Sequence, residues 1–223
     1  ESDNKASKWS YGDLNEVLDS DWLCCSDNAG VTYKVRGAQF KELFGPAEPP
    51  WESHVGGIFH VKNASDIVEL YSTNAPYTAW DVTLNDDGSY EWSNERDIES
   101  FSPGEELVFL TNPDSKYLFN NNKTQTWDFG PLTDTSRVTS THRMFNYASV
   151  FNSDISSWDM SNVTRIDYMF YNAKAFNQDI SGWDVSSATR MNEMFWGANQ
   201  FNQNLNKWDV SQVTEMSNMF GSA

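Results

Sequence analysis

Side chains that commonly catalyse reactions or bind metals are few and scattered in this sequence. The three histidines, His54, His60 and His142, do not form the H-E-x-x-H spacing of a zinc site. The run Asn85–Gly88 (NDDG) lacks the full spacing of a calcium loop and is more typical of a hairpin turn. The nucleophile elbow, the P-loop and the G-x-G-x-x-G motif are also absent. The sequence therefore predicts no catalytic residue, no metal site and no cofactor.

Carboxylates are the one reactive group that the chain has in excess. The sequence holds 32 Asp and Glu against 15 Lys and Arg, a formal net charge of −17, and residues 1–130 carry 23 of the acids and 9 of the bases. This charge disfavours nucleic acid and a bare anionic membrane as partners. It suits a basic protein surface or divalent cations, or it serves only to keep an exported protein soluble. A carboxylate pair within residues 1–131 would permit hydrolysis, so a hydrolase is kept as the alternative from another functional class.

Aromatic side chains and sequons supply the remaining candidate sites. Aromatic residues make up 15% of the chain, and tryptophans that lie outside the repeat pattern are candidates for an exposed binding surface. These are Trp51, Trp92 and Trp196. Three N-x-[ST] sequons are candidate glycosylation sites if the chain is exported from a eukaryotic cell. They begin at Asn63, at Asn162 and at Asn122, of which Asn122 is preferred because it falls in a predicted linker.

The C-terminal part of the chain, which must position several of these side chains, is a sequence repeat. The pair Met144-Phe145 recurs at Met169, Met194 and Met219, a step of 169 − 144 = 25 residues without insertion or deletion. Trp158, Trp183 and Trp208 keep the same step. A constant period in this range is typical of a solenoid, in which each unit buries its apolar face by stacking on its neighbours.

The spacing inside one unit predicts its secondary structure. Met191, Met194 and Ala198 fall on one face of a helix. Ile180, Trp183 and Val185 have the rhythm of a short strand. Each coil is therefore predicted to contain one short strand and one short helix. The polar columns are expected to cap turns, with a ligand-facing row as the minority interpretation. They are Asn152/177/202, Asp159/184/209, Ser161/186/211 and Thr164/189/214.

The units share the pattern MFxxAxxFNxDISxWDVSxVTxM. This pattern resembles the repeat of BspA-like leucine-rich-repeat surface proteins, and the resemblance covers residues 132–223 only. It implies a leucine-rich-repeat fold and roles in surface attachment and protein contact, and it brings no catalytic residues. Within this range a degenerate first coil, with Thr133 in place of tryptophan, precedes three full units and a truncated last unit.

The N-terminal half is predicted to be a separate acidic α+β domain. Strands are expected at Val31–Arg36, Ile58–Val61 and Glu106–Leu110, with a hairpin around the NDDG turn. Helices are expected at Ala38–Phe44 and around Ile67–Tyr71. The predicted organisation is an α+β domain over residues 1–119, a linker or cap over residues 120–131, and the solenoid over residues 132–223.

These patterns together predict a non-catalytic, exported interaction protein of the cell surface, the extracellular space or an organelle lumen. It would bind another protein or a surface glycan through the solenoid and the N-terminal domain. An accessory subunit of a large, membrane-associated assembly is the alternative within the same class. No apolar run reaches the roughly 20 residues of a membrane span, and a start at Glu1 suits a cleaved export or transit peptide. The adjacent Cys24 and Cys25 cannot close an ordinary disulfide loop.

Overall fold

A computed structural model of the chain describes residues 22–26, 32–36, 54–62, 79–86, 88–97, 100–102, 104–123 and 127–223. These residues form six β-strands and no α-helix, so the predicted α+β class is wrong for the part of the chain that the structure describes. The chain divides into two units, Glu1–Glu52 and Ser53–Ala223. This boundary differs from the predicted division at residues 119–132.

The first unit is described only in its hairpin. Strands β1 (Trp22–Ser26) and β2 (Thr32–Arg36) pair antiparallel, with Cys24 opposite Lys34 and Cys25 opposite Tyr33. The predicted helix at Ala38–Phe44 lies outside the described residues, as does the one around Ile67–Tyr71.

The second unit opens with a four-stranded antiparallel sheet. Its strands are β3 (Ile58–Val61), β4 (Ala79–Leu84), β5 (Tyr90–Arg96) and β6 (Leu107–Leu110), and they lie in the order β3-β6-β4-β5. The NDDG turn joins β4 to β5, as the hairpin pattern predicted. Both β3 and β6 are buried along their whole length because the sheet covers a core on one side and further chain on the other.

The repeats that follow stack on one another in register. Isolated parallel bridges join Ser140 to Arg165, Arg165 to Arg190, and Arg190 to Glu215. Beside these bridges, alternate amides of each coil donate to carbonyls of the next. The amides of Phe145, Phe170 and Phe195 donate to the carbonyls of Met169, Met194 and Met219 at 2.8–2.9 Å. Each 25-residue repeat therefore forms one coil, and backbone hydrogen bonds join that coil to the next one in the stack.

The predicted helix and strand in each coil are wrong. Among the described repeats, the residues at helical spacing form overlapping turns, in which Met194 bonds back to Met191 and Ala198 bonds back to Phe195. Every fourth residue of these turns has a left-handed backbone, with φ of 51° at Glu193 and 69° at Gly197. Every second backbone amide of these turns donates to a carbonyl of the next coil and not to one of its own coil. An α-helix therefore cannot propagate. The predicted strand Trp183–Val185 is likewise absent, and bridging occurs at Arg190 instead.

The turns nevertheless bury the side chains that the helical pattern assigned to the core. Phe145, Phe170 and Phe195 form a fully buried column with ring centroids 5.6 Å apart and nearly parallel planes. Trp183 and Trp208 stack in a second column, and their indole N–H groups donate to the carbonyls of Ile155 and Ile180. Identical rings at a constant step thus make the core continuous along the stack.

The prediction that the polar columns cap turns is confirmed. Asp159, Asp184 and Asp209 each accept a 2.9–3.0 Å bond from the backbone amide two residues later. The asparagine column links coils, since Asn177 and Asn202 donate their amides to the side chains of Asn152 and Asn177. These side chains are committed to the scaffold.

The sheet closes the first coil of the stack. The amide of Ile58 donates to the carbonyl of Asp134 at 2.8 Å, and the carbonyl of Ile58 accepts a 2.8 Å bond from the amide of Asp134. Phe59 packs edge-on against Trp158 with centroids 5.5 Å apart. Phe119, directly before the predicted linker, and Trp127, within it, are buried in the same core. Within Ser53–Ala223 the sheet and the stack therefore share one hydrophobic core.

His60 on β3 makes folding sensitive to pH. Its side chain is fully buried, and Nε2 lies 2.7 Å from Oε1 of Glu106. Burial lowers the pKa of His60 below 6.5, although the contact with Glu106 opposes the shift. The folded state then binds fewer protons than the unfolded state, so stability rises with pH across this range.

We expect the free energy of unfolding to fall as the pH drops from about 7.5 to 5.5, across the ordinary histidine pKa of about 6.5. Denaturant titration at several pH values measures this. The variant His60→Gln should be less stable at neutral pH and should lose this part of the pH dependence. An unchanged pH slope in the variant would assign the effect to other groups.

Candidate functional site

The inter-coil ladder displays a set of outward side chains that we call the turn face. It comprises the partly exposed side chains of residues 114–121, 140–147, 165–172, 190–197 and 215–222. Buried pairs of side chains in these segments, such as Met144-Phe145, alternate with outward pairs, such as His142-Arg143. Because ladder bonds fix each coil to the next, the outward side chains form columns one coil apart.

An aromatic row crosses three coils of the turn face. Tyr171 and Trp196 stack with ring centroids 4.8 Å apart and planes at 11°. Tyr147, which is 51% exposed, packs against Tyr171 at 5.4 Å with its ring tilted by 60°. Gly221 follows Trp196 in the column, and a Cβ at that position would overlap the indole. The row is thus rigid, half-buried and held from both ends.

Arg143 lies between two tyrosines beside this row. Its guanidinium carbon is 4.8 Å from the ring centroid of Tyr168 and 5.8 Å from that of Tyr117. Its Nη1 donates to the hydroxyl of Tyr117 at 3.4 Å. The three residues occupy the same place in successive coils, and all have a left-handed φ between 56° and 63°. Cation–π contacts of this kind fix the guanidinium without neutralising it.

Ion pairs fill the adjacent columns. Nδ1 of His142 lies 2.7 Å from Oδ2 of Asp167, and Nη2 of Arg165 lies 3.3 Å from the same oxygen. Burial opposes ionisation of Asp167, but the hydrogen bonds and charges of His142 and Arg165 outweigh it and lower the pKa of this carboxyl. Arg190 pairs with Glu215 at 2.7 Å, and Lys116 pairs with Asp114 at 2.8 Å.

The turn face is electrically neutral in a strongly acidic chain. Its five segments carry four basic residues and four acidic residues, of which Asp167 is buried, whereas the whole chain has a net charge of −17. The basic residues are Lys116, Arg143, Arg165 and Arg190, and the acidic ones are Asp114, Asp167, Glu193 and Glu215. Arginine, tyrosine and tryptophan are the residues that interfaces concentrate.

The structure brings one of the predicted aromatic residues into this face. Trp196 belongs to the aromatic row, whereas Trp92 lies half-buried on β5, and Trp51 lies outside the described residues. The tyrosines and Arg143 were missed. Their shared position next to the Met-Phe pair was visible in the sequence, but the helical interpretation did not reveal that they face outward together.

The preferred glycosylation candidate is disfavoured by its burial. Asn122 is 4% exposed, and its side chain accepts a bond from Nε1 of Trp127. Asn162 is exposed and donates its side-chain amide to the carbonyl of Ser136, and it remains a prediction. Asn63 lies outside the described residues.

Several carboxyl groups of the described residues have pKa values that depart from the ordinary value. Each one whose pKa departs from the ordinary value is shifted downward. At Asp154 and Asp179 the main cause is a hydrogen bond from a backbone amide two residues later. Within the described ranges no cluster of His, Cys, Asp and Glu is arranged to hold a metal ion. No helix there is long and apolar enough to cross a bilayer.

The part of the chain that contains the turn face matches the model of a known protein family. Residues 114–223 match a family model described as Mycoplasma protein of unknown function, DUF285. The repeat stack is similar to DUF285. The match begins at Asp114, the first residue of the turn face, and so includes all of its columns. Comparisons with curated proteins and with solved structures gave no match.

Proposed function

We propose that the protein is a non-catalytic, exported interaction protein that holds its partner on the turn face. The observation that carries this proposal is the continuous network of half-buried aromatic and charged side chains from Tyr117 to Trp196. Such a rigid surface loses little conformational entropy on binding. The sheet and the stacked core serve as its scaffold.

The repeat pattern and the family match support an exported location. The units resemble those of BspA-like surface proteins, and the similarity to DUF285 covers the same coils. A surface or luminal protein that binds without catalysis needs a stable scaffold and an accessible face. The turn face meets the second need, and the aromatic columns meet the first.

The described carboxyl groups favour binding over hydrolysis. A general acid requires a carboxyl group with a raised pKa. The shifted carboxyl groups here are held ionised by backbone amides, by arginine, lysine or histidine, or by both. They act as turn caps and as members of ion pairs.

A photo-crosslinking amino acid at Tyr147 tests the proposal. Tyr147 is exposed within the turn face, and the exposed Ser157, in a turn outside it, is the matched control position. Each full-length variant is expressed in the source cells, irradiated and examined by mass spectrometry. We expect one dominant adduct from position 147 and none from position 157. Adducts from position 157 alone, or from neither, would contradict the proposal.

A further inference from the structure

Arg143 differs from every other basic side chain on the turn face. Lys116, Arg165 and Arg190 each have a carboxylate partner within 3.3 Å. Arg143 has none among the described residues, although Asp167 and Glu193 belong to neighbouring columns of the same face. Glu193 instead bonds to the hydroxyl of Tyr168 at 3.3 Å. Among the residues that the structure describes, Arg143 is therefore the one cation of the face without a carboxylate at ion-pair distance.

This cation is held ready for a partner. The rings of Tyr117 and Tyr168 flank its guanidinium, and Nε is buried without a hydrogen-bond partner in the described part of the chain. Only its bond to the tyrosine hydroxyl, at 3.4 Å, uses a donor of the group. Guanidinium groups pair with carboxylates through two parallel bonds, and a fixed guanidinium loses little entropy in doing so.

We propose that Arg143 binds the carboxylate of an Asp or Glu side chain on a protein partner that lies along the turn face. This inference rests on the proposed function and adds the chemistry of the contact. The aromatic row beside Arg143 packs against the apolar residues that flank the acid. The strong negative charge of the chain restricts the partner to a neutral or basic protein segment in which this acid is isolated.

The geometry of the rings favours a protein over an acidic glycan. A sugar stacks on a free aromatic face, but Tyr171 and Trp196 turn their faces toward each other. The faces of Tyr117 and Tyr168 are turned toward Arg143. These contacts occupy one face of each ring, and the ring edges and tyrosine hydroxyl groups suit the apolar side chains and backbone carbonyls of a polypeptide.

The test pairs a random peptide library displayed on phage with an array of neutral and acidic glycans, both presented to the full chain. Selected ligands are then titrated against three variants. Arg143→Gln removes the charge. Arg143→Lys keeps the charge but loses the paired N–H donors of the guanidinium group. Arg137→Gln is the matched control because Arg137 is an exposed arginine that lies outside the turn face. Circular dichroism confirms that each variant is folded, and the Lys variant serves if the Gln variant is not.

We expect peptides that contain an Asp or Glu beside apolar residues. Their affinity should fall about 10- to 100-fold in Arg143→Gln, less in Arg143→Lys and hardly at all in Arg137→Gln. Peptides that prevent the crosslink at position 147, but whose affinity does not change in Arg143→Gln, would overturn this inference and leave the proposed function intact. Arg143-dependent binding of acidic glycans, or no binder at all, would also overturn it.

Discussion

Replacing Phe170 with alanine is expected to lower the free energy of unfolding by about 3–5 kcal/mol. Phe170 is fully buried and lies in the middle of the phenylalanine column, 5.6 Å from Phe145 and from Phe195. It also stacks on Phe176 at 3.9 Å. Truncation removes the ring and leaves a cavity that ladder-bonded coils cannot close. Denaturant unfolding of the full chain measures the loss.

Phe220 provides the control for this prediction. It continues the same column, 5.6 Å from Phe195, but is 53% exposed. Phe220→Ala should cost about 1 kcal/mol, because much of the ring already contacts water. Equal losses at the two positions would show that the column is not a continuous core.

The second large effect is expected from Gly56→Ala, through steric overlap. A Cβ on Gly56 would overlap the backbone carbonyl of Thr111, which lies directly after β6. The neighbouring Gly57 accepts a 2.9 Å bond from the amide of Thr111, so the two segments cannot separate without losing that bond. We expect destabilisation of about 1–3 kcal/mol or more, visible as a lower denaturation midpoint.

The same substitution at Gly182 should have little effect or the opposite one. A Cβ there would meet no atom within 4 Å, and the backbone is not left-handed. Gly182→Ala should therefore be neutral or stabilise by up to about 1 kcal/mol, because it restricts the unfolded chain. Destabilisation of similar size at both glycines would contradict the packing described around Gly56.

The β-sheet was largely predictable because its signals are local. β3 (Ile58–Val61) occupies the predicted residues, and the β4–β5 hairpin surrounds the predicted turn. The order in which these strands pair was not predictable. It depends on contacts such as that of Ile58 with Leu110, between residues far apart in the sequence.

The repeat shows why a correct repeat length can still lead to a wrong prediction of secondary structure. The step of 25 residues and the buried positions of Met191, Met194 and Ala198 agree with the structure. Spacing of three and four residues, however, suits overlapping turns as well as a helix. What decides is the left-handed backbone at Glu193 and Gly197, which sends alternate amides to the next coil. In the sequence only Gly197 signals this, because glycine favours such a backbone.

The candidate site was missed for the same reason. Arg143 and Tyr168 occupy left-handed positions of the turns, which place them at equivalent positions in successive coils. On a helix these residues would have been ordinary solvent-exposed positions. Trp196 was identified because it breaks the tryptophan period, which is a property of the sequence alone.

Everything proposed for the turn face depends on the hydrogen bonds between coils. A long-range HNCO spectrum of the isotopically labelled chain detects these bonds directly, through coupling between an amide nitrogen and the carbonyl carbon that accepts its proton. The structure predicts correlations from Phe145, Phe170 and Phe195 to Met169, Met194 and Met219. Correlations from Phe145 to Thr141 and from Phe170 to Ile166, as in an α-helix, would contradict it.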